Sequence, residues 1–325
     1  MLFRSDLIRQ GLDEGALGVG FGINYVAATT RSEILDIVEI AAARGVASFV
    51  HMRHAGGVEP GSSIEALQDF GTRSVGTPGH DEAQAWIADQ MESLGLAVEL
   101  DAFSVGSEDC ANVIGRLEGS DSARVWIFSA HFDSTSPLAD TLAPGADDNA
   151  SGVAAVLEAA RILAQVHPRD TIWFVAMDAE ELGSLGSAHL AEVLGDEAVD
   201  VQGVIAPDMI GYWPLGSDDA FDILGDDESE WMVEDMATTA DALGVGNKTW
   251  IQHRYCYGDD HTSFQDAGFP AVSPMDCVEA HNVPSSGEET PHYHQTSDTV
   301  DTLDLGFTRR VVGVVVATLG SWSGA

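Results

Sequence analysis

The sequence contains a single lysine, Lys248, among 325 residues. Lysine and arginine together number 14 against 53 aspartates and glutamates, so the formal net charge is −39. The acidic residues are spread along the whole chain rather than gathered in a tail. This charge repels the phosphates of nucleic acids and of anionic membranes, so we exclude both as partners. Because salt screens self-repulsion, the acidic composition also predicts adaptation to a high-salt organism.

Cysteine is scarce as well. The three cysteines, Cys110, Cys256 and Cys277, have spacings that match no zinc knuckle. At most one disulfide can form, and Cys256 with Cys277 is the only plausible pair. Free or buried thiols are the favoured state.

Long apolar runs are also missing. No run reaches the roughly 20 residues that a membrane-spanning helix needs. The first 15 residues, MLFRSDLIRQGLDEG, lack the hydrophobic core of a signal peptide. The chain as given is therefore expected to be cytoplasmic, or secreted if a leader was removed.

The segments that remain alternate between strand and helix patterns. This alternation predicts an α/β fold with a mixed, centrally parallel sheet sandwiched between helices. The Gly-rich stretch 56–62 predicts a boundary that divides the chain into residues 1–65 and 66–325. The predicted strands are 97–104, 125–130, 171–177 and 204–206, and the predicted helices are 82–95, 152–166 and 309–322.

Three apolar strands end in side chains that can bind metal. They run into His131, into the pair Glu180 and Glu181, and into Asp208. Ligands bind beyond the carboxyl ends of strands in open α/β sheets, so these side chains should converge. A neutral imidazole is a good zinc ligand, and of two adjacent glutamates one can bind metal while the other acts as a general base.

Two further segments add ligand candidates. Residues 143–152, APGADDNASG, open a helix and contain Asp147 and Asp148. A carboxylate there can bridge two cations through its two oxygens, whereas an acidic helix cap is the structural alternative. We expect Asp147 to have the structural role. Residues 291–299, PHYHQTSDT, offer a second imidazole from His292 or His294.

The order His-x-Asp, Gly-x-Asp-Asp, Glu-Glu, Asp, His resembles the zinc aminopeptidase family. That family includes secreted bacterial leucyl aminopeptidases and, more distantly, glutamate carboxypeptidase. The resemblance covers about residues 66–325 and includes the early stretch FGTRSVGTPG at 70–79. It implies two zinc ions per chain, although carboxylate-rich ligand sets also accept cobalt or manganese.

The resemblance assigns the metal ligands of the family to five positions, namely His131, Asp148, Glu181, Asp208 and His294. In the family pattern, His131 and Asp208 bind one ion, Glu181 and His294 bind the other, and Asp148 bridges the two. The family's spacing to the downstream Gln-Thr-Ser-Asp-Thr favours His294 over His292.

The resemblance also implies catalytic roles. Glu180 matches the general base, which takes a proton from the attacking water and delivers it to the leaving amine. Asp133 matches the carboxylate that orients His131. The oxyanion donor is left open among Tyr255, Tyr257 and His261, in a segment that departs from the family pattern. The expected substrate is a peptide with a free amino terminus, bound among acidic groups.

Three other functions compete with an aminopeptidase. A glutaminyl-peptide cyclase has this fold but works with one zinc, and the complete ligand set argues against it. A carboxypeptidase or dipeptidase needs a cationic group for the substrate carboxylate, for which Arg254 is the candidate. A non-catalytic, metal-stabilised binding module is argued against by the presence of Glu180.

Residues 15–53 do not fit the aminopeptidase pattern. They resemble a piece of D-aminoacylase-type amidohydrolases, in which His51 would fall at a metal-ligand position. The similarity covers two strand–helix steps, whereas a barrel of that type needs eight. We therefore expect a fused fragment without catalysis of its own.

Overall fold

The computed structural model describes residues 18–21, 40, 47–50, 60–213, 220–254, 258–276 and 290–325. The chain divides into two compact units, Met1–Ser62 and Ser63–Ala325. In the first unit, strands β1 (Gly18–Phe21) and β2 (Ala47–Val50) form a parallel pair. His51 lies outside the described residues, and the amidohydrolase resemblance of this region stays a prediction.

The second unit contains a single eight-stranded sheet among its described residues, in the order β3-β4-β6-β5-β7-β10-β8-β9. The four strands β6, β5, β7 and β10 at its centre are parallel, whereas β4 and β8 run antiparallel to their inner neighbours. The strands are β3 (Ala97–Val105), β4 (Glu108–Leu117), β5 (Asp121–His131), β6 (Asp170–Met177), β7 (Asp200–Ile205), β8 (Ala220–Gly225), β9 (Gly246–Ile251) and β10 (Ala271–Met275).

Helices cover both faces of this sheet, because successive side chains of a strand point to opposite sides. In β5, Ile127 packs in a cluster with Leu190, whereas the ring of Trp126 stacks on Trp322 at 5.1 Å. The predicted mixed, centrally parallel sheet between helices is thus confirmed. The helices are α1 (Pro60–Gln68), α2 (Pro78–Ser93), α3 (Gly152–Leu163), α4 (Leu185–Asp196), α5 (Glu230–Leu243), α6 (Asp260–Asp266) and α7 (Leu305–Ser323).

Some element boundaries differ from the prediction. The helix predicted from residue 82 begins at Pro78, because the Thr77 hydroxyl accepts a hydrogen bond from the amide of His80 and proline suits a first helical turn. Strands β4, β8, β9 and β10 were not predicted. In the described parts of the chain, none of the helices has the length and apolar character needed to cross a membrane.

Candidate metal centre

The metal-type side chains meet at one edge of the sheet. Strand β5 lies between β6 and β7, and all three run parallel. His131 is the last residue of β5, Glu180 and Glu181 follow β6, and Asp208 follows β7. Parallel strands place their carboxyl ends together, so the sheet itself converges these groups.

The fourth contributor lies in an irregular turn, Ala146–Ser151, that leads into α3. Asp148 is buried there and its amide donates to Asp298 Oδ2 at 3.0 Å. Asp147 points away from the ligands: its carboxylate accepts hydrogen bonds from the amides of Gly211 and Tyr212 at 2.7 and 3.0 Å. Asp147 therefore makes the structural contacts expected of it.

The ligand candidates form two groups that share Asp148. The first contains His131, Asp148 and Asp208, the second contains Asp148, Glu181 and His294, and the ligand atoms of each lie within 4.8 Å of one another. His131 Nε2 is 3.3 Å from Asp148 Oδ1 and 3.5 Å from Asp208 Oδ1. His294 Nε2 is 3.3 Å from Asp148 Oδ2 and 2.9 Å from Glu181 Oε2. Each oxygen of Asp148 thus faces a different histidine.

These residues fit zinc in chemistry and in spacing. Ligand atoms on one tetrahedral zinc lie about 3.3 Å apart, given zinc–ligand bonds of about 2.0–2.1 Å. Within the described chain, no hydrogen-bond partner is found for the buried atoms His131 Nε2, Asp208 Oδ1, Asp148 Oδ2 and Glu181 Oε1. Buried polar atoms are nearly always satisfied, so a cation is the partner that this arrangement requires.

The pKa values follow from burial and mutual charge. Burial lowers the pKa of His131, but the carboxylates of Asp208, Asp133 and Asp148 together outweigh that effect and the pKa lies well above its usual value. Burial raises the pKa of Glu181 to about 8 and that of Asp208 to about 6. Burial would also raise the pKa of Asp148, but the adjacent imidazoles of His131 and His294 hold it below its usual range. A bound cation would displace the protons that this cluster holds.

Glu180 lies beside the two groups without belonging to either. Its Oε1 accepts a hydrogen bond from the Ser184 hydroxyl at 3.0 Å, and its Oε2 is 4.0 Å from His131 Nε2. Burial raises the pKa of Glu180 well above its usual value, which makes the carboxylate a stronger base. One oxygen is therefore anchored and the other faces the metal ligands.

Asp133 connects the ligating histidine to the two glutamates. Its carboxylate accepts hydrogen bonds from the main-chain amides of Glu180, at 3.0 Å, and of Glu181, at 3.1 Å. The His131 Nδ1 atom is 3.2 Å from the Asp133 carbonyl oxygen and 3.5 Å from its Oδ1. Asp133 thus orients the ring mainly through its main chain and holds the turn after β6 through its side chain.

Backbone strain is concentrated around this centre. Among the described non-glycine residues with positive φ are Ala179, Ser184, Met209 and His294, with φ of 56°, 53°, 47° and 53°. Each is a ligand or lies within three residues of one. Such conformations persist where the surrounding contacts hold them, and they cluster at functional sites.

The remaining predicted residues fall elsewhere. His292 is outside both groups, and its Nδ1 is 2.8 Å from the Ser297 hydroxyl. His261 is buried, with Nδ1 in contact with the Asp259 carboxylate. Tyr255 and Tyr257 lie outside the described residues, as do Cys256 and Cys277, so the predicted disulfide stays a prediction. Cys110 is a buried free thiol.

Tyr293 is a residue that sequence analysis missed. Burial and the carboxylates of Asp148, Asp208 and Glu181 raise its pKa far above the ordinary value, so its hydroxyl stays protonated among these groups. Its ring stacks on His294 at 3.7 Å. The available signal was its position directly before the predicted ligand His294.

The chain is similar in sequence to a peptidase family and to proteins named as zinc metalloproteases. The model of peptidase family M28 matches residues 112–319. A probable zinc metalloprotease of Pyrenophora tritici-repentis is 30% identical over 81% of this chain, and the chain spans 65% of that relative, just under two thirds. The aminopeptidase YwaD of Bacillus subtilis is 31% identical over 53% of this chain and 35% of its own length.

Solved structures with the same fold include enzymes of two kinds. The zinc aminopeptidase BSAP from Bacillus subtilis has a TM-score of 0.71 at 18% identity, covering 81% of this chain and 94% of its own. The glutaminyl cyclase of Porphyromonas gingivalis has a TM-score of 0.66 at 21% identity, covering 81% and 97%. At these identities the likeness establishes the fold alone. The family match over residues 112–319, together with the sequence relatives, shows that the chain belongs to peptidase family M28.

Proposed function

We propose that the chain is an exopeptidase that uses two zinc ions to hydrolyse the peptide bond after an amino-terminal residue. The observation that carries this proposal is the position of Asp148, whose two oxygens face two different histidines in two ligand groups. A carboxylate placed in this way suits a bridge between two cations. The curated relatives, named as zinc metalloproteases and an aminopeptidase, support the same function.

The residues that would hold the ions are the two groups already described. His131 and Asp208 would complete one position, Glu181 and His294 the other, and Asp148 would serve both. Zinc, when bound, supplies a Lewis acid that acidifies water and polarises the scissile carbonyl. Cobalt or manganese could replace it in a ligand set this rich in carboxylates.

Glu180 is the proposed general base. Its carboxylate is buried, basic and fixed by Ser184, and its Oε2 lies 4.0 Å from His131 Nε2. From that position it can take a proton from the attacking water and later deliver it to the leaving amine. Asp133 keeps this turn in place through the amides of Glu180 and Glu181.

Tyr293 is the proposed hydrogen-bond donor to the carbonyl oxygen as negative charge develops on it. Its hydroxyl remains protonated beside Asp148, Asp208 and Glu181. The aminopeptidase of Bacillus subtilis among the sequence relatives supports a substrate with a free amino terminus. This is why we assign the cleavage to the amino-terminal end of the substrate.

A carboxypeptidase fits less well. Its substrate carboxylate would need a cation, and the candidate Arg254 is more than half exposed and paired at 2.6 Å with Asp266, the last residue of α6. A cyclase remains the second candidate because the glutaminyl cyclase fold is the same. The shared Asp148 and a second group containing Glu181 favour the aminopeptidase over a single-zinc cyclase.

The test combines metal content with hydrolysis. Purified protein in molar salt is assayed on a panel of aminoacyl-p-nitroanilides, with and without a chelator, and its zinc content is measured. The proposal expects two ions per chain and chelator-sensitive release that zinc restores. One ion per chain with no release would support the cyclase. Two ions with no release from any substrate would contradict the aminopeptidase.

Three further expectations belong to the same proposal. Residues 1–65 are a fused fragment of an amidohydrolase-type barrel, which the parallel pair β1–β2 supports. The protein works at high salt, which the net charge of −39 supports. The sequence as given suits a cytoplasmic location.

A further inference from the structure

Arg73 is a cation buried directly behind the metal centre. Its side chain is fully buried, and in the described part of the chain it forms no ion pair with a carboxylate. The guanidinium donates instead to main-chain carbonyl oxygens: Nε to Phe132 at 2.6 Å, Nη1 to Leu67 at 3.1 Å and to Pro144 at 2.7 Å, and Nη2 to Gly145 at 2.9 Å. A planar fork of donors suits such an arrangement.

Three of these carbonyl groups, those of Phe132, Pro144 and Gly145, belong to the segments that carry metal ligands. Phe132 lies between His131 and Asp133, and Gly145 lies three residues before Asp148. One side chain therefore ties the end of β5 to the turn that presents the shared carboxylate.

An anion holds the same turn from its amide side. Asp298 accepts the amide of Asp147 on both oxygens, at 2.9 and 3.1 Å, and the amide of Asp148 at 3.0 Å. Asp298 is itself four residues after His294, in the segment that supplies the second histidine. The turn is thus held by a cation at its carbonyl groups and by an anion at its amides.

Gly145 permits the close approach that this arrangement needs. Its φ is +51°, and a Cβ built on it would lie 2.8 Å from Arg73 Nη2 and 2.4 Å from the Asp148 carbonyl oxygen. Any other side chain would push the guanidinium and the turn apart.

The presence of a charged side chain at position 73 can be explained by the carboxylates around it. A buried cation without an ion-pair partner is costly, and an apolar side chain would fill the space with less penalty. Burial lowers the pKa of Arg73 to about 10, so the group stays charged at neutral pH, and the negative charges of Asp298, Asp133 and Asp148 oppose the effect of burial. A positive charge here reduces the repulsion among the carboxylates of the centre.

We propose that Arg73 and Asp298 are positioning residues that together fix the turn of Asp148, so that both of its oxygens reach their ligand groups. This inference rests on the proposed metal function. Neither residue contacts the substrate or the reacting atoms in this scheme, so their effect is on how tightly the site binds metal.

The test measures zinc affinity by equilibrium dialysis against a competing chelator, independently of turnover. Arg73→Ala and Asp298→Asn should each weaken zinc binding by about 10- to 100-fold, the usual effect of removing a partner that orients ligands. Added guanidinium ion should restore affinity to Arg73→Ala, whereas methylammonium, which lacks the fork, should not. The control Arg161→Ala removes a cation that pairs with Glu158 on α3 and should bind zinc like the parent.

The outcomes separate the two proposals. A parent protein that binds no zinc would overturn the metal function itself. A parent that binds zinc, with folded Arg73→Ala and Asp298→Asn proteins binding it equally tightly, would overturn the positioning role. If circular dichroism shows that Arg73→Ala does not fold, the near-isosteric Asp298→Asn decides: weaker binding supports the inference and unchanged binding overturns it.

Discussion

Replacing Glu180 by glutamine tests the division of labour between two adjacent glutamates. Glu180 belongs to neither ligand group, and its Oε1 accepts from the Ser184 hydroxyl at 3.0 Å. A glutamine carbonyl can accept the same hydrogen bond, so Glu180→Gln preserves shape and metal ligands while removing the proton acceptor. Its neighbour Glu181 lies 2.9 Å from His294 Nε2, within the second ligand group.

The expected loss follows from the role of a general base. Such a group contributes about 10²–10⁴-fold to the rate, equivalent to about 3–5 kcal/mol at 1.36 kcal/mol per tenfold. We expect kcat of Glu180→Gln to fall by this factor, with KM and metal content unchanged. Glu181→Gln is the matched control, because it should lose metal from the second group.

The assay records initial rates on an aminoacyl-p-nitroanilide over a range of concentrations, with zinc measured on the same samples. Parental kcat in Glu180→Gln would refute the assignment of the base. If Glu180→Gln loses as much metal as Glu181→Gln, the assignment of Glu181, and not Glu180, to the metal ligands is refuted.

Four further predictions concern tuning and stability. Ser184→Ala should lower kcat about tenfold at unchanged KM, since one hydrogen bond to Glu180 is lost; an unchanged kcat would contradict this. Glu181 and His294 have pKa values raised to about 8 and about 10 in the metal-free protein, so zinc affinity should increase as pH rises through that range. Zinc binding should release protons, which calorimetry in buffers of different ionisation enthalpy would detect. The pKa of Asp170 is lowered to about 2, chiefly by its hydrogen bond from Arg169. The ionised carboxylate therefore stabilises the fold above its unfolded pKa of about 3.9, and this stabilisation is lost as pH falls through about 2. Asp170→Asn should therefore cost about 2 kcal/mol in urea unfolding at neutral pH, and parental stability there would contradict the reasoning. Transfer from molar to millimolar salt should loosen the fold because the chain carries a net charge of −39, and an unchanged circular dichroism spectrum would contradict this.

Much of the site could be predicted because it depends on the ends of parallel strands. His131 and Asp208 follow apolar runs that are consistent with buried strands, and the topology of an open α/β sheet brings such ends together. The two groups in the structure contain the five positions that the family resemblance assigned to metal. The family resemblance, carried by the order of these motifs along the chain, therefore predicted this part.

The rest depends on contacts that leave no local pattern. Arg73 bonds main-chain carbonyls, including Phe132 and Pro144, which are 59 and 71 residues away, and a carbonyl group carries no sequence signature. Tyr293 gains its position only when His294 is folded into the centre. Strand β9 forms an edge of the sheet, where partial exposure weakens the apolar pattern that identified the central strands.

The two histidines of the centre differ in their access to solvent. The side chain of His131 is 1% exposed, whereas that of His294 is 38% exposed. The position that includes His131 is therefore more enclosed on its histidine side than the position that includes His294. We therefore expect the two positions to exchange their ions at different rates. Brief chelation followed by a second metal would then yield a mixed-metal enzyme, in which each position can be studied by its own spectroscopic signal.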